Sequence, residues 1–352
     1  MRIVVTGATG NVGTSVVSAL AADPNVTEIV GLARRAPDWD APKTEFRAAD
    51  ITRAPLADLF EGADAVVHLA WLIQPSRDAT ALEAVNVHGS RLVFEAAAAA
   101  GVSALVHASS VGAYGPGPAS GERVDESWPT DGIPSSFYAR HKAQAERALD
   151  AIEAAAPDLR VVRLRPGLIF KREAASEIRR LFAGPLLPGA LANPRLIPAL
   201  PLPRGLRVQA VHGADVAEAY RLAVTDERAR GAYNVVAEPV LDADTLGRAL
   251  DARPVALPPS AVRALTDATW RLHAQPTPAG WLDLALQSPL LDAGRIRSEL
   301  GWEPVTSATD ALLELLAGLR DGAGGPTPPL AADAGGPARI RELLTGVGAR
   351  NP

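Results

Sequence analysis

Two rhythms of apolar residues alternate along the first half of the chain. Residues 2–6, 27–32, 64–70, 105–108 and 160–164 form short, nearly continuous apolar runs, and a weaker run surrounds Phe46. Between them the period lengthens. In residues 11–22, Val12, Val16, Val17 and Leu20 fall on one helical face, and residues 80–100 and 138–155 also read as helices. Strands that are apolar on both faces belong to a parallel sheet covered by helices on both sides. Pro166 ends the last strand of this series, which puts the first domain at residues 1–168.

After Gly167 the pattern breaks. Residues 184–205 contain Pro185, Pro188, Pro194, Pro198, Pro201 and Pro203, which predicts an irregular segment over a cleft. "LRVQAVHGADVAEAYRLAV" restores a strand and a helix, and "GAYNVVAE" another strand; residues 206–237 are expected to rejoin the first sheet. Residues 169–205 and 238–322 then make a smaller cap. "GGPTPPLAADAGGP", residues 324–337, reads as a flexible linker within a tail spanning 323–352, with a short amphipathic helix at 338–344.

Composition narrows the chemistry. A chain of 352 residues with 47% hydrophobic and 21% charged positions suits roughly two globular domains. A net charge of -5, without a basic run interleaved with aromatics, argues against a nucleic-acid partner. The absence of cysteine excludes disulfides, thiolate metal sites and cysteine catalysis, and no metal site is expected. No apolar run reaches the ~18 residues of a membrane span. The chain opens directly on a strand-like run, so a cytoplasmic protein is expected.

The first strand runs into "TGATGNVG" and then into a helix. In that context Gly7 serves the tight turn, Gly10 lets backbone approach a pyrophosphate, and Gly13 lets the helix pack closely. Thr9, Asn11 and Val12 complete the loop, where free N–H groups of the helix start can hold the anion. The second strand ends in "VGLARRAP", with Ala33 where a carboxylate would bind the ribose 2′-hydroxyl of NAD, followed by Arg34 and Arg35. Two guanidiniums suit a 2′-phosphate, so NADP is expected first and NAD second. Asp50 and Ile51 are placed to meet the adenine, and Leu69 and Ala70, in "HLAW", to pass the adenine ribose.

The chain has only three lysines, Lys43, Lys142 and Lys171, among 35 Lys and Arg residues. Lys142 follows Tyr138 by four positions on a helix, so the two share a face. An ammonium beside a phenol can lower its pKa from about 10 and make it a proton donor and acceptor near neutrality. "VHASSVGAYG" places Ser109 and Ser110 at the carboxyl end of the fifth strand, the edge where open sheets bind ligands.

Together with "ADI", "HLA", "VNVHGSRLVFEAA", "YARHK", "RLRPGLIF", "VQAVHGADVAEAY" and "RIRSELGWEP", these motifs resemble an extended short-chain dehydrogenase/reductase of the NAD-dependent epimerase/dehydratase family, over residues 1 to about 320. The resemblance implies an α/β fold: a Rossmann-type doubly wound parallel sheet with a smaller C-terminal substrate-binding cap. It implies Ser110 as the hydroxyl that polarises the substrate, with Ser109 as second choice, Tyr138 as acid/base and Lys142 as its activator. Asn86 resembles a position near the cofactor, with a helix or capping role equally open. Pro166 to Leu168 resembles the loop beside the nicotinamide. His212 and Asp215 organise a strand-to-helix turn. A homodimer through residues 80–100 and 138–155 is a family expectation.

Departures from the family sharpen the reading. Val111 and Gly112, not acidic residues, follow Ser110, which disfavours water elimination. Val208 stands where the epimerases carry an arginine for the sugar-nucleotide pyrophosphate, and Arg207 is one place out. Trp270, His273 and Trp281 either line an apolar pocket or pack the cap, and Arg179, Arg180 and Arg195 are the cations that could meet a diphosphate. The expectation is an NADP-dependent oxidoreductase interconverting a carbonyl and an alcohol on a small molecule. An NAD-retaining nucleotide-sugar epimerase is the alternative. A non-catalytic NADP sensor ranks last, because the Tyr/Lys pair is present.

Overall fold

The computed structural model describes residues 1–73, 77–183 and 198–332. Its first half runs β1 (Arg2–Thr6), α1 (Asn11–Ala22), β2 (Glu28–Ala33), β3 (Thr44–Ala48), α2 (Leu56–Phe60), β4 (Ala65–His68), α3 (Ala79–Glu83), α4 (Ser90–Ala99), β5 (Ala104–Ala108), β6 (Arg123–Val124), α5 (Phe137–Ala155), β7 (Arg160–Pro166) and β8 (Leu168–Phe170). The second half runs α6 (Ala175–Ile178), β9 (Ala199–Pro203), β10 (Arg207–His212), α7 (Gly213–Thr225), β11 (Gly231–Val235), β12 (Ala237–Asp242), α8 (Ala243–Leu250), β13 (Arg253–Leu257), α9 (Pro259–Arg271), α10 (Gly280–Gln287), β14 (Leu290–Leu291), α11 (Gly294–Leu300) and α12 (Ala308–Asp321).

Seven parallel strands form the main sheet in the order β11-β7-β5-β4-β1-β2-β3. The chain builds outward from β1 to β3, then returns to β1's other side with β4. That reversal opens a crevice at the carboxyl ends of β1 and β4. The period of two sorts β1 between two cores: Ile3 and Val5 join α1 and α7 on one face, and Val4 joins α2, α4 and α5 on the other.

β11 joins the main sheet as expected, but β10 does not. β11 occupies the free edge of β7, with Gly231 opposite Val162. β10 pairs instead with β8 and β12 in a separate three-stranded sheet. The chain leaves the main sheet at Gly167, where an added Cβ would lie 2.5 Å from the Gln209 carbonyl oxygen. Residues 290–302, expected in the cap, contribute Leu291, Ile296, Leu300 and Trp302 to the main core.

Residues 324–332, expected as flexible linker, are packed. Leu330 is fully buried, and Thr327 Oγ1 donates to the Thr9 carbonyl oxygen at 2.7 Å. A run of Gly and Pro is read as flexible because it lacks periodicity, yet single side chains can still anchor it. Most of the proline-rich stretch, including Arg195, and the expected helix at 338–344 lie outside the described residues. Among the described residues no helix is long and apolar enough to cross a membrane.

Candidate active site

The glycine loop sits at the crevice. Gly7 has φ +72°, and an added Cβ would lie 2.6 Å from the Ala70 backbone nitrogen, so the loop presses on the chain leaving β4. At Gly13 a Cβ would meet the Gly7 carbonyl oxygen at 2.2 Å. Gly10 is different: the nearest atom stands at 3.5 Å. It is the N-cap of α1 and offers no side-chain cap. The Asn11 Oδ1 is buried without a partner. A helix start without a side-chain cap, uncrowded at Gly10 and with an orphaned polar atom beside it, fits a dinucleotide's pyrophosphate. Thr9 is buried, and Val12 packs against the core.

Lys171 adds a feature the sequence reading did not assign. Its Nζ donates to the Asn11 carbonyl oxygen at 2.7 Å, Thr14 Oγ1 at 2.8 Å and Ser15 Oγ at 2.9 Å. Burial pulls this ammonium down to about 8. A cation is therefore held against the first turn of α1. Its scarcity was a usable signal, since it is one of three lysines.

At the adenine end, Arg34 and Arg35 are exposed just past β2. Asp50 Oδ1 accepts from Thr52 N and Oγ1. Burial opposes the Asp50 charge, but Thr52 and the nearby Arg53 and Arg34 hold it below the usual carboxylate range. Ile51 is buried, close to Gly89.

Between α3 and α4 the helix widens to a π-turn over Ala84–Gly89, which carries Asn86. Asn86 is fully buried, with Oδ1 accepting from Leu72 N at 2.7 Å and Nδ2 donating to Leu72 O at 2.8 Å. Its amide is engaged with the chain that follows Leu69 and Ala70, so it shapes that wall from behind. Ser90 Oγ donates to Asn86 O, which makes it the acceptor for His68 Nε2, while Thr6 Oγ1 donates to His68 Nδ1. Burial, with the Lys142 charge, holds His68 down at about 3.

The serine, tyrosine and lysine come together at the end of β5. Tyr138 and Ser110 meet across Gly112, where an added Cβ would lie 2.8 Å from the Tyr138 ring and 3.4 Å from Ser110 Oγ, and that Oγ accepts from Gly112 N at 3.0 Å. Gly112 makes the approach possible. Ser109 points elsewhere: its hydroxyl donates to the buried Glu146. Lys142 Nζ donates to Ala108 O at 2.6 Å and lies 3.5 Å above the Trp71 ring centroid. Burial pulls Lys142 down to about 7, against the charge of Glu146. The expected lowering of the phenol by Lys142 is not what this state shows. Burial pushes Tyr138 up, only the Ser110 hydroxyl opposes it, and the ammonium is 5.8 Å from the ring centroid.

Beneath these residues lies a network that sequence reasoning missed. Glu146 takes Arg165 Nε at 2.8 Å and Nη2 at 2.7 Å, with Arg163 at 3.6 Å. Burial opposes the Glu146 charge, but Arg165 and Ser109 hold its carboxylate below the ordinary range. Arg165 Nη1 donates to the Tyr114 hydroxyl, which donates to Asn234 Oδ1. The segment from Ser109 to Tyr114 is thus tied down at both ends. The available signal was Glu146 itself, one helical turn beyond Lys142.

The nicotinamide-end residues are divided. Pro166 closes β7 in the core of the sheet, whereas Leu168 is exposed at the start of β8. His212 caps α7 through Ala214 N, and the Asp215 carboxylate accepts from Val305 and Thr306 N. Trp281 packs on Tyr138, with ring centroids 5.0 Å apart, while Trp270 lies under Arg77.

Residues 3–236 match the model of the NAD dependent epimerase/dehydratase family. An uncharacterized protein of Mycobacterium tuberculosis is 27% identical over 91% of this chain, which spans only 30% of that protein. UDP-glucose 4-epimerase of Mycolicibacterium smegmatis is 38% identical over 42% of this chain and 49% of its own length. L-arabinose 1-dehydrogenase (NAD(P)(+)) of Haloferax volcanii is 43% identical over 31% of this chain and 40% of its own. In fold, the chain resembles Thermus thermophilus UDP-glucose 4-epimerase in complex with NAD, at TM-score 0.66 and 22% identity, covering 91% of this chain and 99% of that one.

Proposed function

The chain belongs to the NAD-dependent epimerase/dehydratase family, and on that footing we propose that it is an NADP-dependent oxidoreductase that interconverts a carbonyl and an alcohol on a small molecule. The observation that carries the reading is one continuous line of contact. Gly7 touches Leu69 and Ala70; Trp71 follows them and covers Lys142 and Tyr138; Tyr138 and Ser110 both lie against Gly112. The cofactor, when bound, supplies or accepts the hydride. The chain's own residues do the rest. The first turn of α1, backed by Lys171, holds the pyrophosphate. Ser110 orients the substrate oxygen, and Tyr138 Oη gives or takes its proton. Lys142, poised near neutrality by burial, returns protons to the site.

Arg34 and Arg35 support NADP over NAD: two exposed guanidiniums at the end of β2 suit a 2′-phosphate. The similarity to a dehydrogenase named for either nicotinamide is compatible with both cofactors. Similarity to UDP-glucose 4-epimerase favours a second reading, an epimerase that retains NAD. Against it, Val208 offers no cation, and the neighbouring Arg207 guanidinium lies against Gly121.

The test is Tyr138→Phe. NADPH titration by nicotinamide fluorescence should give wild-type affinity, while turnover falls by about 10²–10⁴-fold. Tight NADH binding with none for NADPH would sink the cofactor assignment. Undiminished turnover in the variant would sink the enzymatic one.

A further inference from the structure

Three strands of the main sheet end on the crevice: β1 at Thr6, β3 at Ala48 and β4 at His68. All three ends are tied to the π-turn of Ala84–Gly89 or to Ser90, which follows it. From β1 and β4 the tie is a directed chain of protons. Thr6 Oγ1 donates to His68 Nδ1 at 2.7 Å, His68 Nε2 donates to Ser90 Oγ at 2.9 Å, and Ser90 Oγ donates to Asn86 O at 2.7 Å. All four residues are fully buried. Burial keeps the imidazole neutral, so each ring nitrogen has one role, and Ser90, committed to Asn86, fixes which. The ring plane is held as well, by Phe94 edge-on and His107 stacked, both with centroids 5.5 Å away.

The segment Leu69–Leu72 is thereby closed into a ring. It begins beside His68, whose imidazole leads through Ser90 to Asn86, and it ends at Leu72, where the Asn86 amide holds both the N–H and the C=O. Leu69 N also donates to Thr6 O at 3.0 Å, and the Gly7 turn presses on Ala70. The third tie is apolar. Ile51, three residues past β3, lies over Gly89: an added Cβ there would stand 2.9 Å from Ile51 Cδ1 and 3.3 Å from Thr52 Cγ2.

A π-turn is a rare departure from α geometry and recurs at functional sites. The Ser90 hydroxyl, bonded back to the carbonyl four residues earlier, adds to the irregularity. Here the turn aims the Asn86 amide at Leu72 and the Asn86 carbonyl at Ser90, and sets Gly89 under Ile51.

We propose that this π-turn positions the adenosine half of the cofactor, with His68, Ser90 and Gly89 as its positioning residues. The inference rests on the reading that a dinucleotide lies along the crevice, its adenosine between Ile51 and the Leu69–Ala70 wall. It adds the interior residues that set the spacing of those two walls. None of the three has to touch the cofactor.

The test uses the full chain and binding alone. NADPH and NADH are titrated by nicotinamide fluorescence, and 2′,5′-ADP, the adenosine half by itself, by calorimetry. His68→Phe keeps a ring and loses both hydrogen bonds, so it should weaken NADPH and 2′,5′-ADP by about tenfold each. His68→Gln, which keeps an N–H for Ser90, should recover most of that loss. Gly89→Ala displaces a side-chain tip and not backbone, so it keeps the test open should His68→Phe fail to fold. It should weaken both ligands severalfold. Leu300→Ala, a truncation in the main core, is the control: Tm should fall while both affinities stay at the wild-type values.

Wild-type affinity for 2′,5′-ADP in folded His68→Phe or in Gly89→Ala overturns the inference, as does equal weakening in Leu300→Ala. A loss confined to NADPH, with 2′,5′-ADP spared, overturns it too, because the effect would then lie at the nicotinamide end. Those outcomes leave the cofactor reading standing. A wild type that binds neither NADPH nor NADH takes down that reading and this inference together. A wild type that binds NADH alone removes only the 2′-phosphate, and the same comparison is then decided with 5′-AMP in place of 2′,5′-ADP.

Discussion

The floor and the wall of the candidate site are built by opposite means. The floor, with Ser110, Tyr138 and Lys142, is polar and comes from two neighbouring elements, the end of β5 and the start of α5. It is held by buried ionic contacts of Glu146 with Arg165 and Arg163. The wall, with Trp71, Phe182 and Trp281, is apolar and drawn from segments far apart in sequence. It is held by close backbone approach at Gly280. A floor that must place a proton within hydrogen-bonding reach needs rigid polar anchors. A wall that must only exclude water and match a shape needs packing.

Glu146→Gln should break this contrast most severely. It leaves the Arg165 guanidinium buried without its counter-charge, and removing one partner of such a pair costs about 3–5 kcal/mol. Thermal unfolding should show a large fall in Tm, and turnover should fall with it because Ser109 loses its anchor. Ser109→Ala is the control. It removes one hydrogen bond and keeps the ion pair, so its cost should be about 1 kcal/mol. Equal, small losses from both would mean that Glu146 is not the anchor.

The same contrast explains what could be read in advance. The glycine loop, the strand alternation and the Ser, Tyr and Lys positions depend on spacing within single elements, and spacing is visible in sequence. β10 was misplaced because strand identity is local, while the choice of sheet depends on which edge β11 has already taken. Trp281 could be named as a pocket or packing residue, but not as a neighbour of Tyr138, because that contact depends on how α10 meets α5. The expected effect of Lys142 on the phenol depended on proximity alone; the structure adds desolvation, which acts the other way on both groups.

Gly280→Ala sharpens the comparison from the side of the wall. The added Cβ would overlap backbone, not a flexible side-chain tip, so α10 must shift. Overpacking of this kind costs about 1–3 kcal/mol. The floor should be spared. NADPH affinity should stay at the wild-type value, while KM for the carbonyl substrate rises with Trp281 displaced. Loss of cofactor affinity of the same order as the rise in KM would show that wall and floor move as one unit.

The smallest effect is expected where the tail meets the glycine loop. Thr327 is 1% exposed and gives its hydroxyl proton to the Thr9 carbonyl. Ser176 Oγ donates to Leu330 O at 3.0 Å, so the segment ties α6 in the cap to the loop below α1. Thr327→Val keeps the shape of the side chain and removes the one donor. The Thr9 carbonyl loses that partner in a buried position, a change worth about 1–3 kcal/mol if nothing replaces it. Because the loss falls on the loop expected to hold the pyrophosphate, NADPH affinity should drop severalfold while KM for the carbonyl substrate stays constant. That pattern is the reverse of Gly280→Ala. If Thr327→Val instead raised KM and spared the cofactor, the tail would belong with the wall, and the division between a cofactor-facing floor and a substrate-facing wall would have to be redrawn.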